Sequence, residues 1–341
     1  MLNNKKIKIF DYCGACTFYL GAIIVTLICQ ALVGVVSAAL SPSFPDITEN
    51  SDFLTAFMIV IQAANALFIF LFCKINNNRF DCALACKNAD NGKAKLDYRD
   101  FVIPVIAAVA VLAAMYLPTL WYGYFTAYVL RIPPSAGNVE LNSASSVVMI
   151  VIASVFMAPV FEEAIYRGVL YNGLRKEHSA AKSVLLCALA FMLMHMSPIQ
   201  VVFQFALGAL SAIIMERTGR LLPCVLLHAT ANAAALAVQS QPISGAVDGA
   251  VLWLVNNPAA AAFITLALLV AGGAVLFALV FVWYGKTGKN VMAEIVDEES
   301  LTPQATVAKD ARKKDGRMRY FIALGISGVL FVINLVTMVM G

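Results

Sequence analysis

The sequence has few charged residues: Asp, Glu, Lys and Arg together make up 13% of its 341 positions, while 61% of the positions are hydrophobic. Soluble domains carry about 25% charged residues, so this composition excludes an ordinary water-soluble domain. The long apolar runs instead predict a polytopic helical membrane protein. These runs do not alternate apolar and polar residues, which argues against a transmembrane barrel.

The chain also lacks basic patches interleaved with aromatic residues, so its net charge of +4 does not indicate a nucleic-acid partner. The Lys and Arg residues lie at the ends of apolar runs, where they orient the chain in the bilayer. The eight Cys lie in apolar runs or in basic segments that we expect to be cytoplasmic. We therefore expect reduced thiols rather than a disulfide framework.

Nine apolar runs are predicted to span the membrane. They cover about residues 13–40, 53–73, 101–118, 147–174, 183–196, 198–215, 221–238, 259–284 and 320–340. If the N-terminus is cytoplasmic, every basic connecting segment is also cytoplasmic, as the distribution of Lys and Arg in membrane proteins requires. The predicted fold class is all-α, a polytopic transmembrane helical bundle of about nine spans with a cytoplasmic N-terminus. The expected location is a membrane, the cell membrane if the organism is bacterial.

Three local features carry more detailed predictions. Pro118 is expected to break the third span. Ser197-Pro198 is expected to begin the sixth, with Ser as the cap and Pro at the first helical position. Residues 239–258 contain no Lys or Arg and are predicted to be an outer loop.

The fourth run contains Phe161-Glu162-Glu163-Ala164-Ile165-Tyr166-Arg167. Charged residues are costly within a membrane, so this heptapeptide indicates a functional site. Glu163 and Arg167 are four residues apart and share a helix face, where they can pair. Glu162 projects about 100° away and so stays available. Pro159 is expected to kink the helix or open a polar pocket.

Two later spans carry further polar residues. His195 follows Phe191 by four residues, and His228 precedes Asn232 by four. The helical rise places Glu162 and His195 about 20 Å, and His228 about 12 Å, from the nearest inner basic residues. Those depths are compatible with one buried cavity. There a carboxylate could take a proton from water while His and Asn donors stabilise an oxyanion.

A zinc site is the other chemical interpretation of these residues, because two His and one Glu with an open fourth position form a known catalytic zinc pattern. The ligands would then be Glu162, His195 and His228. The sequence has no H-E-x-x-H motif that would decide between zinc and a metal-free site.

The order Glu162-Glu163-x-x-x-Arg167, Phe191-x-x-x-His195 and His228-x-x-x-Asn232 resembles the three-motif signature of the CPBP family. That family comprises type II CAAX prenyl endopeptidases and bacterial proteins of bacteriocin processing or self-immunity. The resemblance implies an intramembrane endopeptidase that acts on a peptide or protein in the membrane, with prenylation of the substrate as a family association only. It covers about residues 147–238.

The resemblance also implies roles for the motif residues. The family is described both as metalloproteases and as metal-independent glutamate proteases, and for this chain we expect catalysis without a metal. The implied roles are water activation by Glu162 with help from His195, an oxyanion site formed by His228 and Asn232, and support from Glu163 and Arg167.

The chain is accordingly divided into N-terminal spans at residues 1–146, a catalytic core at 147–238, and C-terminal spans with a basic linker at 239–341. Two other functions are compatible with the same residues. A proton-coupled transporter could use the buried Glu and His groups as a relay. A non-catalytic immunity protein could keep the same fold without the reaction.

Overall fold

A computed structural model describes residues 11–44, 46–47, 50–76, 97–131, 143–239, 241–283 and 303–340. Within these ranges the chain forms ten helices and no strand. The helices are α1 (Tyr12–Leu40), α2 (Ser51–Ile75), α3 (Arg99–Leu130), α4 (Ala144–Arg175), α5 (Ala180–Met194), α6 (Val201–Thr218), α7 (Leu221–Gln239), α8 (Gln241–Asn256), α9 (Pro258–Trp283) and α10 (Pro303–Met340).

Eight of the described helices are long and apolar enough to cross a membrane, which confirms the prediction of a multi-pass helical membrane protein. The two others are α5 and α8. Helix α5 corresponds to the fifth predicted span but has only 15 residues. At 1.5 Å per residue it is about 22 Å long, shorter than the roughly 30 Å of a hydrocarbon core.

The predicted break at Pro118 is wrong, because α3 continues through both Pro104 and Pro118 to Leu130. Proline removes one backbone donor, but unwinding the helix in a membrane would expose several more unpaired groups where no water can bind them. A continuous helix is therefore the less costly structure.

Two other local predictions are also wrong. Helix α6 begins at Val201 rather than at Ser197-Pro198, because the chain first turns at Met196, whose backbone is left-handed. Residues 241–256 form helix α8 instead of a loop. The absence of Lys and Arg there indicated a side of the membrane, and it carries no information about backbone conformation. The basic segments 1–10, 77–96 and 284–302 and the predicted outer loop 132–142 lie outside the described residues.

Ion pairs connect several helices at one end of the bundle. Arg175 at the end of α4 bonds to Glu216 near the end of α6, with 2.8 Å between Nε and Oε2. Arg220, just before α7, pairs with Asp100 in the first turn of α3. These pairs bring the α4–α5 turn, the α6–α7 turn and the start of α3 to the same end of the molecule.

The first and last helices begin at this end as well. Lys313 of α10 pairs with Glu177 of the α4–α5 turn at 2.6 Å, and Arg312 pairs with Asp11, the cap of α1. Farther along, Arg319 donates to Thr17 at 2.6 Å. Helices α1, α5 and α10 therefore run in parallel, as expected if all three cross from the inner side.

The second half of α4 lies at the centre of the bundle. Every residue from Glu162 to Leu174 is buried, and helices α1, α2, α5, α6 and α7 all pack against α4. The polar heptapeptide is therefore enclosed by protein rather than exposed to lipid, the arrangement that makes charged groups tolerable inside a membrane.

Candidate active site

The two adjacent glutamates of α4 have different surroundings. Glu163 is fully buried and receives three hydrogen bonds. Its Oε1 accepts from Arg167 Nη1 and is 3.0 Å from His228 Nδ1, and its Oε2 accepts from Ser211 Oγ at 2.8 Å. Since His228 lies on α7 and Ser211 on α6, the Glu163 carboxylate connects α4 to both of these helices.

Arg167 is fully buried and completes this cluster. Its Nη2 donates to the Gly208 carbonyl of α6 at 2.9 Å, and its guanidinium carbon lies 4.5 Å from the centre of the Phe191 ring. The Phe191 ring also meets the His195 and His228 rings edge-on, with ring centres 4.6 and 5.6 Å apart. Phe191 is thus an apolar spacer that separates the two imidazoles.

Glu162 is less fully bonded. Its Oε1 accepts a hydrogen bond from Gln62 Nε2 of α2 at 3.1 Å. Its Oε2 is buried and has no hydrogen-bond partner in the described part of the chain. The nearest charged or imidazole group is His195, whose Nε2 lies 3.9 Å from Oε2. That distance is too long for a direct hydrogen bond and suits a pair bridged by one water.

His195 has a defined orientation although it lies just beyond the last residue of α5. Its Nδ1 is 2.8 Å from the Phe191 carbonyl oxygen. A carbonyl oxygen only accepts hydrogen bonds, so Nδ1 carries the proton of the neutral ring. The Nε2 atom that faces Glu162 then holds the lone pair, and it can accept a hydrogen bond from water.

His228 is held in the same manner by a different acceptor. Its Nδ1 faces the Glu163 carboxylate and therefore carries a proton, which leaves Nε2 for any other contact. In the neutral ring Nε2 is an acceptor. It becomes a donor when the ring is an imidazolium.

Asn232 is bound to an irregular part of α4. Residues 151–157 have π-helical hydrogen bonding, in which the Ala158 N–H reaches back to Ala153 O. The next bond of that series would run from residue 159 to Ser154, but residue 159 is proline and has no N–H. The Ser154 carbonyl accepts instead from Asn232 Nδ2 at 2.7 Å. This bond uses one of the two N–H groups of the Asn232 amide.

The predicted site residues thus form two adjoining groups. Glu162 faces His195, and Glu163, Arg167 and His228 form the buried cluster. The predicted pairing of Glu163 with Arg167 is observed. Pro159 has no N–H group, so it leaves one carbonyl oxygen of α4 without its helical hydrogen bond. His228 contacts Glu163 rather than Glu162. Asn232, one helical turn after His228, is bonded to α4.

Sequence reasoning missed three contributors. Gln62 lies in the middle of α2, with the Asn65 amide donating to its Oε1 at 3.5 Å. Two carboxamides within an apolar span are a signal of function that could have identified them. Ser211 and the carbonyl of Gly208 carry no such signal, because a serine or glycine in a membrane helix is commonly only a packing residue.

The zinc interpretation requires Glu162, His195 and His228 to bind one ion. In the described ranges, no group of three or more His, Cys, Asp or Glu side chains is arranged to hold a metal ion. Glu162 Oε2 and His195 Nε2 are a pair, and His228 Nδ1 is already directed at Glu163. The Nδ1 atoms of both imidazoles have partners and their Nε2 atoms do not take part in those bonds, so a zinc ion bound by Glu162, His195 and His228 stays a prediction.

Comparison with known proteins agrees with the resemblance noted from the three motifs. Residues 144–234 match the family model described as type II CAAX prenyl endopeptidase Rce1-like. The matched segment begins at the first residue of α4 and ends within α7, so it contains all six predicted site residues. Neither a curated protein nor a solved structure matches the chain.

Proposed function

We propose that the chain is an intramembrane endopeptidase with Glu162 as its general base, because residues 144–234 of this membrane protein match the family model described as type II CAAX prenyl endopeptidase Rce1-like. The observation that carries the proposal is the facing pair formed by Glu162 Oε2 and His195 Nε2, 3.9 Å apart in a buried site. Glu162 Oε2 is an acceptor without a hydrogen-bond partner among the described residues, and His195 Nε2 is held with its lone pair available.

The first step is activation of water between these two atoms. The water donates one hydrogen bond to Glu162 Oε2 and the other to His195 Nε2. Glu162 takes the proton as the oxygen attacks the peptide carbonyl, while His195 keeps the water in line. Gln62 holds Oε1 of the same carboxylate, so Oε2 is the oxygen that reacts.

The second step is stabilisation of the negative oxygen of the tetrahedral intermediate. His228 and Asn232 supply the donors: the Nε2–H of the His228 imidazolium and the second N–H of the Asn232 amide. Glu163 stabilises the imidazolium through its bond to Nδ1. Collapse of the intermediate returns the proton from Glu162 to the leaving amine.

Glu163 and Arg167 are positioning residues in this mechanism. Their ion pair is inaccessible to solvent, and each also bonds to a neighbouring helix. A network with so many partners holds His228 in one orientation, and pre-orientation is what makes the donor effective in the transition state.

The proposed substrates are membrane-associated peptides, with C-terminal CAAX sequences tested first because the matching family is described by them. The test is a cleavage assay of the purified protein in detergent on a farnesylated CAAX peptide, the same peptide without farnesyl, and a single-span membrane peptide. Wild type, Glu162→Gln and His228→Ala are compared with the control Glu177→Gln, which changes a carboxylate outside the site.

Loss of the general base is expected to lower kcat by about 10²–10⁴-fold in Glu162→Gln, while Glu177→Gln keeps the wild-type rate. A zinc chelator is expected to leave wild-type cleavage unchanged. Wild-type rates in folded Glu162→Gln would overturn the role of Glu162. Loss of cleavage with chelator and its return with zinc would overturn only the metal-free mechanism. No cleavage of any peptide by folded wild type would contradict the substrate class.

A further inference from the structure

The corner that follows His195 has an unusual backbone. Helix α5 ends at Met194, His195 is its cap, and Met196 has a φ of +50°. At the end of α6 the same left-handed turn is made by Gly219, with a φ of +61°. Glycine is the usual residue there because it has no Cβ to collide with the preceding backbone. A methionine in this conformation persists only where its surroundings hold it.

Two helices from the opposite ends of the chain hold this corner. Asn334 Nδ2 of α10 donates to the Met196 carbonyl oxygen, and Gln30 Nε2 of α1 donates to Met196 Sδ at 3.4 Å. Met196 is 7% exposed, so the corner is enclosed by these helices. Both donors lie outside the matched segment, residues 144–234.

Helix α10 is itself fixed along α1 and α5, so Asn334 is not on a loosely attached helix. Tyr320 of α10 donates to the Leu186 carbonyl of α5 at 2.8 Å, and Arg319 donates to Thr17 of α1 at 2.6 Å. Helix α10 is thus attached to α5 at two points. One is within the helix and the other is immediately beyond its end, at Met196.

We propose that Gln30 and Asn334 are positioning residues that hold the Met196 corner and thereby set the orientation of His195. The peptide bond between His195 and Met196 links the two residues directly, so a change at Met196 rotates the backbone of His195. In the described part of the chain, the ring of His195 is held by its Nδ1 bond to Phe191 O and its contact with the Phe191 ring, and its Nε2 faces Glu162 Oε2 at 3.9 Å. The expected effect on catalysis rests on the proposed function, whereas the expected effect on the orientation of His195 does not.

The test uses the small number of histidines. The chain has only three, so ¹⁵N-histidine labelling gives a simple spectrum, and nitrogen shifts distinguish rings protonated at Nδ1 from those protonated at Nε2. Asn334→Leu removes the donor at similar volume. Thr337→Val is the matched control, because the Thr337 hydroxyl on the same helix donates to Ile333 O of its own helix.

We expect His195 to be protonated at Nδ1 in wild type and Thr337→Val. In Asn334→Leu we expect the ring to exchange between the Nδ1-protonated and Nε2-protonated forms, so that its nitrogen shifts are averages of the two. In the cleavage assay kcat of Asn334→Leu falls by about 10- to 100-fold with little change in KM, since the imidazole that holds the attacking water is misplaced and the substrate is not. Adding Met196→Gly to Asn334→Leu restores the Nδ1 signal and most of kcat, because glycine keeps the left-handed turn without support.

An unchanged His195 signal in folded Asn334→Leu would overturn the proposal, and so would failure of Met196→Gly to restore the signal. If Asn334→Leu does not fold, Gln30→Leu tests the other contact by the same signal, and no change there would overturn the proposal as well. The spectrum needs no substrate. A wild type that cleaves nothing therefore contradicts the proposed function alone and leaves the role of the corner to be decided by the His195 signal.

Discussion

At the scale of single residues, Glu162 and Glu163 show how neighbours in sequence acquire different chemistry. Glu163 has both oxygens occupied, by Arg167, His228 and Ser211. Within the residues that the structure describes, Glu162 keeps one buried oxygen without a hydrogen-bond partner. A carboxylate whose two oxygens both accept hydrogen bonds, one of them from an arginine, is stabilised as a structural anion. One with an unfilled site in a low-dielectric pocket interacts strongly with a proton donor such as water.

Gln62 is predicted to matter for catalysis although it lies 100 residues from Glu162 in the sequence. Gln62→Leu removes the donor to Oε1. Hydrogen bonds to charged groups contribute about 1.5–3 kcal/mol, so kcat is expected to fall by roughly 10- to 100-fold with KM little changed. The measurement is steady-state cleavage beside Thr55→Val, a change on the same helix at a hydroxyl bonded to the Ser51 carbonyl. Equal kcat values for the two variants would show that Gln62 does not orient Glu162.

At the scale of elements, α4 is a continuous helix with two π-helical stretches, residues 151–157 and 164–171. The first stretch directs the carbonyl orphaned by Pro159 toward α7, where Asn232 binds it. Irregular backbone of this kind is tolerated in a membrane only where protein supplies the missing partner. Helix α7 therefore supports α4 at the level of the active site.

This support predicts coupling between Pro159 and Asn232. Pro159→Ala restores an N–H that can bind Ser154 O, so Asn232→Leu is expected to destabilise the Pro159→Ala variant less than it destabilises wild type. The expected difference is on the order of 1 kcal/mol, the net value of one buried hydrogen bond. This difference is measured by thermal unfolding, in detergent, of wild type, the two single variants and the double variant. If the stability losses of the two substitutions simply add, the Asn232 amide does not support α4 and its role is confined to the substrate.

At the scale of the whole molecule, charged pairs mark one end of the bundle. Arg175 with Glu216, Arg220 with Asp100, and Lys313 with Glu177 connect the ends of five helices and the α4–α5 turn there. The opposite end is joined by hydroxyl bonds instead: Ser143 and Ser145, at the start of α4, donate to Asp52 of α2 at 2.6 and 2.8 Å. The basic end is the one expected to face the cytoplasm.

The orientation is testable with single cysteines in a chain whose eight native cysteines are replaced. Ala144→Cys and Ser179→Cys lie at exposed positions at the two ends of α4. A membrane-impermeant maleimide is expected to label Ala144→Cys in intact cells and Ser179→Cys only after lysis. The reversed pattern would invert the predicted topology. Labelling of both in intact cells would contradict a membrane-spanning α4.

Much of the protein was predictable because the relevant signals are local. Apolar runs and the basic residues at their ends indicate the class of protein. The spacing of four residues between Glu163 and Arg167 predicts their pairing from helix geometry alone. The errors at Pro118 and at residues 239–258 arose where a local rule was applied without its surroundings. Proline is tolerated in an enclosed membrane helix, and charge content does not define a loop.

The sequence by itself thus determined a membrane-spanning helical bundle, its polar heptapeptide and the three motifs of its core, because each depends on residues within one or two helical turns. The tertiary structure alone decided which glutamate has an oxygen without a hydrogen-bond partner among the described residues, which acceptor orients the His228 imidazole, and how Gln30, Gln62 and Asn334 reach the site. Those outcomes depend on contacts between different helices, whose residues are 48 to 166 positions apart in the sequence. Such contacts form only when the helices pack, since no pattern along one helix specifies the side chain that a distant helix will place against it.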